Sequence, residues 1–131
     1  MTIQDLIKEA YSVTGVYKPS IQCESGSVGA ALLTKDGNVY TGVCIDCACG
    51  IGFCAEHSAI AEMLKHKESE IVMLVAINDR REIGPPCGRC RELIYQVNKA
   101  NANTKIILSQ DETITLKELL PHHWLDIWKL N

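Results

Sequence analysis

Apolar and polar positions change their spacing several times along the chain. Ile3, Leu6, Ile7 and Ala10 recur at helical intervals behind Thr2 and Asp5. A capping threonine with an acidic residue three positions later marks a helix start, so residues 2–14 are expected to be helical. The stretch 15–26 carries Gly15, Pro19, Ser20, Ser25 and Gly26 and reads as a loop. Two apolar runs follow, 28–34 and 39–43, with Asp36-Gly37 between them. That dipeptide favours a tight turn with positive φ, so the pair is expected to form a β-hairpin. Residues 44–52 are rich in cysteine and glycine and read as loop.

From Cys54 to about Lys67 the spacing of Ala55, Ala59 and Met63 predicts a helix. Ile71–Ile77 is an unbroken apolar run, as in a strand buried on both faces. Residues 78–84 read as polar loop. Pro86 stands where the first helical turn tolerates proline, and Leu93, Ile94 and Val97 carry the pattern to about Lys99. Lys105–Leu108 reads as a short strand, and Thr115 with Glu118 caps a last short helix that Pro121 ends. The order α-β-β-α-β-α-β-α implies a sheet layered between helices.

Composition narrows the class. The chain has 131 residues, with 47% hydrophobic residues and a net charge of −3. One domain over residues 1–131 is expected, with a real core and no disorder. No basic run or stripe is present to attract a phosphate backbone, so a nucleic acid polymer is not expected as partner. The N-terminal stretch holds Asp5, Lys8 and Glu9, and no run approaches the roughly 20 apolar residues of a membrane span. The expectation is a soluble, cytoplasmic protein.

Seven cysteines are many for such a chain, and an odd number does not suggest a disulfide framework. Cys54-Ala55-Glu56 and Pro86-Cys87-Gly88-Arg89-Cys90 carry the chemistry. Cys87 and Cys90 are three apart at a helix start, so both fall on one face and can share a metal. The positive end of a helix favours thiolate over thiol, and Cys54 also opens a helix. Three soft ligands suit one tetrahedral Zn2+ per chain and leave its fourth position open, as in catalytic sites. Glu56 is not required as a ligand and is the candidate acid/base. Three thiolates and Zn2+ sum to −1 and Glu56 adds another, so positive charge is expected nearby from Arg91, Arg89 or His57.

Blander assignments compete. Cys44, Cys47 and Cys49 read chiefly as small loop residues, though one could be a fourth ligand or the group could hold a second metal. Cys23 reads as a buried or half-buried thiol. His122 and His123 read as surface residues, and Trp124 and Trp128 as core or interface.

With Val28–Leu32, Asp36-Gly37, Thr41-Gly42-Val43, Leu119-Leu120-Pro121 and Trp124 added in order, the two cysteine motifs make the chain resemble the small cytidine deaminase family and its blasticidin S deaminase relatives. A three-cysteine zinc site with a neighbouring glutamate and Pro-Cys-x-x-Cys is similar to the signature of zinc deaminases. The resemblance implies a three-layer α/β/α fold with a mixed five-stranded sheet. It implies hydrolytic deamination of cytidine or deoxycytidine, with water attacking C4, Glu56 carrying protons and ammonia leaving. It also implies a role in pyrimidine salvage and a homotetramer with sites built across subunits. Cys44, Asp46, Ala55 and Trp124 are the substrate contacts it suggests.

The chain departs from that family's pattern at three places. Where family members carry Asn-x-Glu-Asn for the ribose, it reads Cys44-Ile45-Asp46-Cys47. Gly26 replaces an aromatic residue, and His57 replaces an arginine after Cys-Ala-Glu. A modified cytosine nucleoside such as blasticidin S is therefore the alternative substrate. The alternative of another class is a non-catalytic zinc-binding assembly module.

Overall fold

The computed structural model describes residues 1–128. Helix α1 spans Ile3–Ser12 and is closed at its start by the expected capping box. The Asp5 backbone N–H donates to Thr2 Oγ1 at 3.1 Å, and the Thr2 N–H donates to the Asp5 carboxylate at 2.8 Å. Strands β1 (Cys23–Thr34) and β2 (Val39–Cys47) form the hairpin, followed by a short 3-10 turn at Ala48–Gly50. Then come α2 (Ala55–Lys65), β3 (Ile71–Asn78), β4 (Ile83–Gly84) and α3 (Gly88–Val97). After a second 3-10 turn, β5 (Lys105–Ser109), β6 (Glu112–Thr115), α4 (Leu116–Leu119) and α5 (Trp124–Trp128) complete the described chain.

The strands form one mixed six-stranded sheet in the order β2-β1-β3-β5-β6, with β4 pairing to the far end of β3. Only β3 and β5 run parallel. The expected count was five strands. The spacing along the chain marks four of the six; the two it does not mark are β4, two residues long and too short to show a period, and β6, whose Glu112-Thr113-Ile114-Thr115 pattern is mostly polar. The hairpin is also longer than its apolar runs. β1 begins at Cys23 and β2 ends at Cys47, so both supposed loops contribute strand.

Alternation along the strands builds two cores. Ala30, Leu32, Leu74, Ala76 and Ile106 face α2 and α3, together with Ala59, Ile60, Met63 and Ile94. Ala31, Val75, Ile77 and Ile107 face α1, meeting Leu6 and Ala10. Helices thus cover both faces of the sheet, in three layers.

Two details fix how the helices sit on the sheet. A Cβ on Gly42 would stand 2.4 Å from the backbone nitrogen of Ala59, so glycine is what lets α2 lie directly on β2. Asn101, fully buried, accepts from the Ile71 N–H at 2.8 Å and donates to the carbonyls of Ser69 and Ile94 at 3.0 and 2.9 Å. It ties β3 to the end of α3 and leaves none of those backbone groups unpaired. Among the described residues, no helix is long and apolar enough to cross a membrane.

Candidate active site

The starts of α2 and α3 meet at one end of the sheet. Cys54 is the N-cap of α2 and Cys87 the N-cap of α3, and Cys90 lies one turn further along α3. Pro86 therefore stands one residue before the cap rather than inside the first turn, buried against the fold. Neither capping cysteine spends its side chain on the helix, which leaves the sulfurs free to converge.

The three Sγ atoms lie within 4.8 Å of one another, and those of Cys54 and Cys87 are 3.4 Å apart. Tetrahedral zinc with Zn–S of about 2.3 Å requires sulfurs roughly 3.8 Å apart, so the cluster fits that ion. Electrostatics points the same way. Burial and the neighbouring Cys87 thiol push the Cys54 thiol up. Burial, then the Glu56 carboxylate and the other two thiols, push Cys90 up strongly. Burial opposes ionisation of Cys87 too, but backbone N–H groups and the adjacent thiols outweigh it, and its pKa falls below the ordinary value. Three sulfurs crowded this closely become thiolates together only around a cation. Cys44, Cys47 and Cys49 form no comparable group: among the described residues, Cys54, Cys87 and Cys90 are the set that converges.

A cavity of about 630 Å³ opens beside the thiols. Cys54, Ala55, Glu56, Cys87, Cys44, Asp46 and Arg89 all line it. Glu56 is 4% exposed, and burial raises its pKa, offset in part by its own backbone N–H and by the Cys90 thiol. A buried carboxyl with a raised pKa beside an open cavity can both take and return a proton.

Cys44, also on the cavity wall, is buried. Its sulfur meets Ser27 Oγ at 3.3 Å and the Val28 N–H at 3.3 Å, and lies 3.9 Å from the exposed Asp46 carboxylate. Cys44 is thus held from behind by the β1 backbone, while Asp46 stands at the rim.

The residues expected to balance charge separate. His57 Nδ1 lies 3.3 Å from Cys90 Sγ, and the ring stacks near Phe53. Burial and the nearby Arg89 charge hold its pKa below the usual value. Arg89 is exposed on the cavity wall. Arg91 instead donates from Nε to the Pro86 carbonyl at 2.8 Å and from Nη1 to the Leu119 carbonyl at 3.2 Å. Lying one helical turn past Cys87, it folds back over the helix start and clamps α3 to α4.

Trp124 does not line the cavity. Its indole N–H donates to Glu92 at 3.1 Å, and its ring meets Trp128 edge-on. His123, expected at the surface, is 6% exposed, because its Nε2 bonds the Glu92 carboxylate at 2.8 Å while its Nδ1 accepts from the Leu125 N–H. The position expected for a surface residue is thus the anchor of the C-terminal segment. Trp128 is 67% exposed and is not core.

Sequence reasoning missed Ser27, Phe53, Asn78 and Glu82 on the cavity wall. The signal for Phe53 is weak but real: it is the one phenylalanine of the chain, placed immediately before Cys54. Its N–H and carbonyl pair with those of Ile45, which closes the loop between them.

Residues 2–105 match the family described as the cytidine and deoxycytidylate deaminase zinc-binding region. The chain belongs to this family. The cytidine deaminase of Halalkalibacterium halodurans is 36% identical over 127 residues, 92% of each chain. The crystal structure of the cytidine deaminase from Mycobacterium leprae superposes with a TM-score of 0.78 at 28% identity, covering 93% of this chain and 99% of that one. A blasticidin-S deaminase of Bacillus cereus is 36% identical over 76 residues, 51% of this chain and 54% of its own length. Membership in this zinc-binding deaminase family accounts for a helix-start thiol cluster with a buried glutamate beside it.

Proposed function

We propose that this chain, as one domain over residues 1–131, hydrolytically deaminates a cytosine nucleoside, converting cytidine or deoxycytidine to the uracil nucleoside and ammonia. The observation that carries the reading is the buried Glu56 carboxyl beside three converging thiols and an open cavity. Cys54, Cys87 and Cys90 hold one zinc, which when bound supplies the Lewis acidity that makes water nucleophilic at neutral pH. Glu56 accepts one proton from the attacking water and delivers it to ring N3, where it stays, and then carries the remaining hydroxyl proton to the departing amine. The C4–O bond forms, the C4–N bond breaks, and ammonia leaves. The backbone at Ala55, on the cavity wall, reads the ring. Cys44 and Asp46 face the sugar, with Asp46 accepting from a hydroxyl. Arg89, on the cavity wall, and His57, beside Cys90 Sγ, offset the thiolate charge. Arg91 does so at longer range while it clamps the helix start.

The homotetramer expected of such a protein gives Trp124 its role. Glu92 and His123 hold it away from its own chain's cavity, so its stacking partner is substrate in a neighbouring subunit. A cytoplasmic place in pyrimidine salvage is the role this activity would serve.

A second reading has its own support. Cys44 and Asp46 replace the amide and the longer carboxylate of nucleoside deaminases, and a blasticidin-S deaminase is among the relatives. Ammonia release from cytidine, deoxycytidine and blasticidin S by zinc-replete protein separates the two. The first reading predicts turnover of the plain nucleosides at the higher kcat/KM. Preference for blasticidin S supports the second, and release from none of them leaves only a zinc module that acts by assembly.

A further inference from the structure

Outside the zinc cluster, one pair of thiols is brought together by strand register. Cys23 at the start of β1 lies directly opposite Cys47 at the end of β2. The character of that pairing follows from its neighbours. Ser25 exchanges both backbone hydrogen bonds with Tyr17, and Ile45 exchanges both with Phe53. The facing pair Ser25 and Ile45 therefore has no bonds left for each other and is a non-hydrogen-bonded pair. Antiparallel pairs alternate, so Glu24 with Asp46 is hydrogen-bonded and Cys23 with Cys47 is again not. In such pairs the Cα atoms are about 4.5 Å apart and the side chains closest, inside the range a disulfide spans. The Cys23 side chain is also the largest influence that pushes the Cys47 thiol up, ahead of burial.

We propose that Cys23 and Cys47 form a dithiol modification site that takes small-molecule disulfides and closes to an intramolecular disulfide, while the zinc thiols stay reduced. The remaining cysteines do not compete. Cys44 is buried and bonded to Ser27 and Val28, Cys49 projects from an exposed turn with positive φ, and Cys54, Cys87 and Cys90 are held together. One thiolate of the pair attacks glutathione disulfide, forming a mixed disulfide and releasing one glutathione. The second thiol then displaces the other glutathione. In balance, two protein thiols and one glutathione disulfide give one protein disulfide and two glutathione thiols, with the protein oxidised by two electrons.

The link has a place to act. Between Ser25–Ile45 and Gly29–Val43 the ladder breaks, and Ser27 and Val28 of that break line the cavity together with Cys44, Asp46 and Cys47. A bond at Cys23–Cys47 closes the outer end of this segment and ties down the rim that carries Asp46.

The test is chemical and does not depend on the substrate. Zinc-loaded full-length protein is reduced, freed of reductant and incubated with glutathione disulfide, then measured by intact mass, peptide mapping and zinc content. The expected product is lighter by two hydrogens, carries a Cys23–Cys47 cross-link, keeps its zinc and reverts with dithiothreitol. Cys23→Ser and Cys47→Ser proteins should instead retain one glutathione on the surviving thiol, and Cys49→Ser should cross-link as the parent does. A cross-link to Cys44 or Cys49, a persistent glutathione adduct on the parent chain, or no modification overturns the proposal. The mapping on the parent chain decides even where a variant folds poorly.

Discussion

Two sets of cysteines meet at one cavity, the first lining it with Cys54 and Cys87 and the second with Cys44 and Cys47, and they differ in what holds them. Cys54, Cys87 and Cys90 sit at helix starts, where a spacing of three residues and two converging helices bring the sulfurs within 4.8 Å. Cys23, Cys44 and Cys47 sit on strands, where successive side chains leave opposite faces and only the partner strand can bring thiols together. The first arrangement concentrates charge and calls for a cation. The second spreads it, yielding one buried sulfur bonded to backbone and one cross-strand pair. Helix starts make a metal site of cysteine, and strand ends make a rim of it.

The sharpest way to break this contrast is to remove a helix-start thiol. Cys90→Ala is expected to lose zinc and to reduce turnover by more than about 10³-fold, since the activation of water goes with the metal. Elemental analysis beside an ammonia assay checks it, and a zinc-replete, active variant would erase the difference between the two sets.

His57 supports the cluster without belonging to it. With its Nδ1 at 3.3 Å from Cys90 Sγ, His57→Ala should weaken zinc binding by about 10- to 100-fold, as loss of a ligand's outer partner does. Competition with a graded chelator reads this, and an unchanged affinity would mean that the ring only packs against Phe53.

On the rim, effects should depend on substrate rather than metal. Asp46→Ala is expected to lower kcat/KM for a nucleoside by about 10- to 100-fold, the range of a hydrogen bond to a charged group, with zinc retained. The loss should shrink for an analogue that lacks the contacted hydroxyl. An equal loss for both would make Asp46 an organiser of the loop instead. The smallest effect belongs to Cys49→Ser, where zinc content and kcat/KM should each change by less than about twofold, as for exposed residues without partners.

The helix-start set was readable in the chain itself because Cys-x-x-Cys and Cys-Ala-Glu are local patterns whose geometry the helix dictates. The rim was not. Cys23 to Ser25 lies in a stretch whose Gly15, Pro19, Ser20 and Gly26 resemble loop, yet Ser25 pairs with both Tyr17 and Ile45, so long-range pairing overrides the local signal. Cys44 gives no local hint that Ser27 and Val28 would hold it, because those residues meet it only across the hairpin. β4 and β6 were missed for a related reason, as partners on β3 and β5 define them more than their own short sequences do. At the far end, the surface reading of His123 failed because Glu92, thirty-one positions earlier, pairs with it. Arg91 was drawn toward the thiolates by its place after Cys90, but the carbonyls of Pro86 and Leu119 claim it first.

Division of labour between thiols that hold the metal and a carboxyl that moves protons is the centre of the account, and Glu56→Gln tests it most directly. The substitution keeps the shape of the buried side chain and removes its proton-transfer capacity. Zinc should remain at one per chain while ammonia release from cytidine falls by at least about 10²-fold. A zinc-replete Glu56→Gln protein with near-parental turnover would contradict the assignment, and so would loss of zinc, which would make Glu56 a ligand.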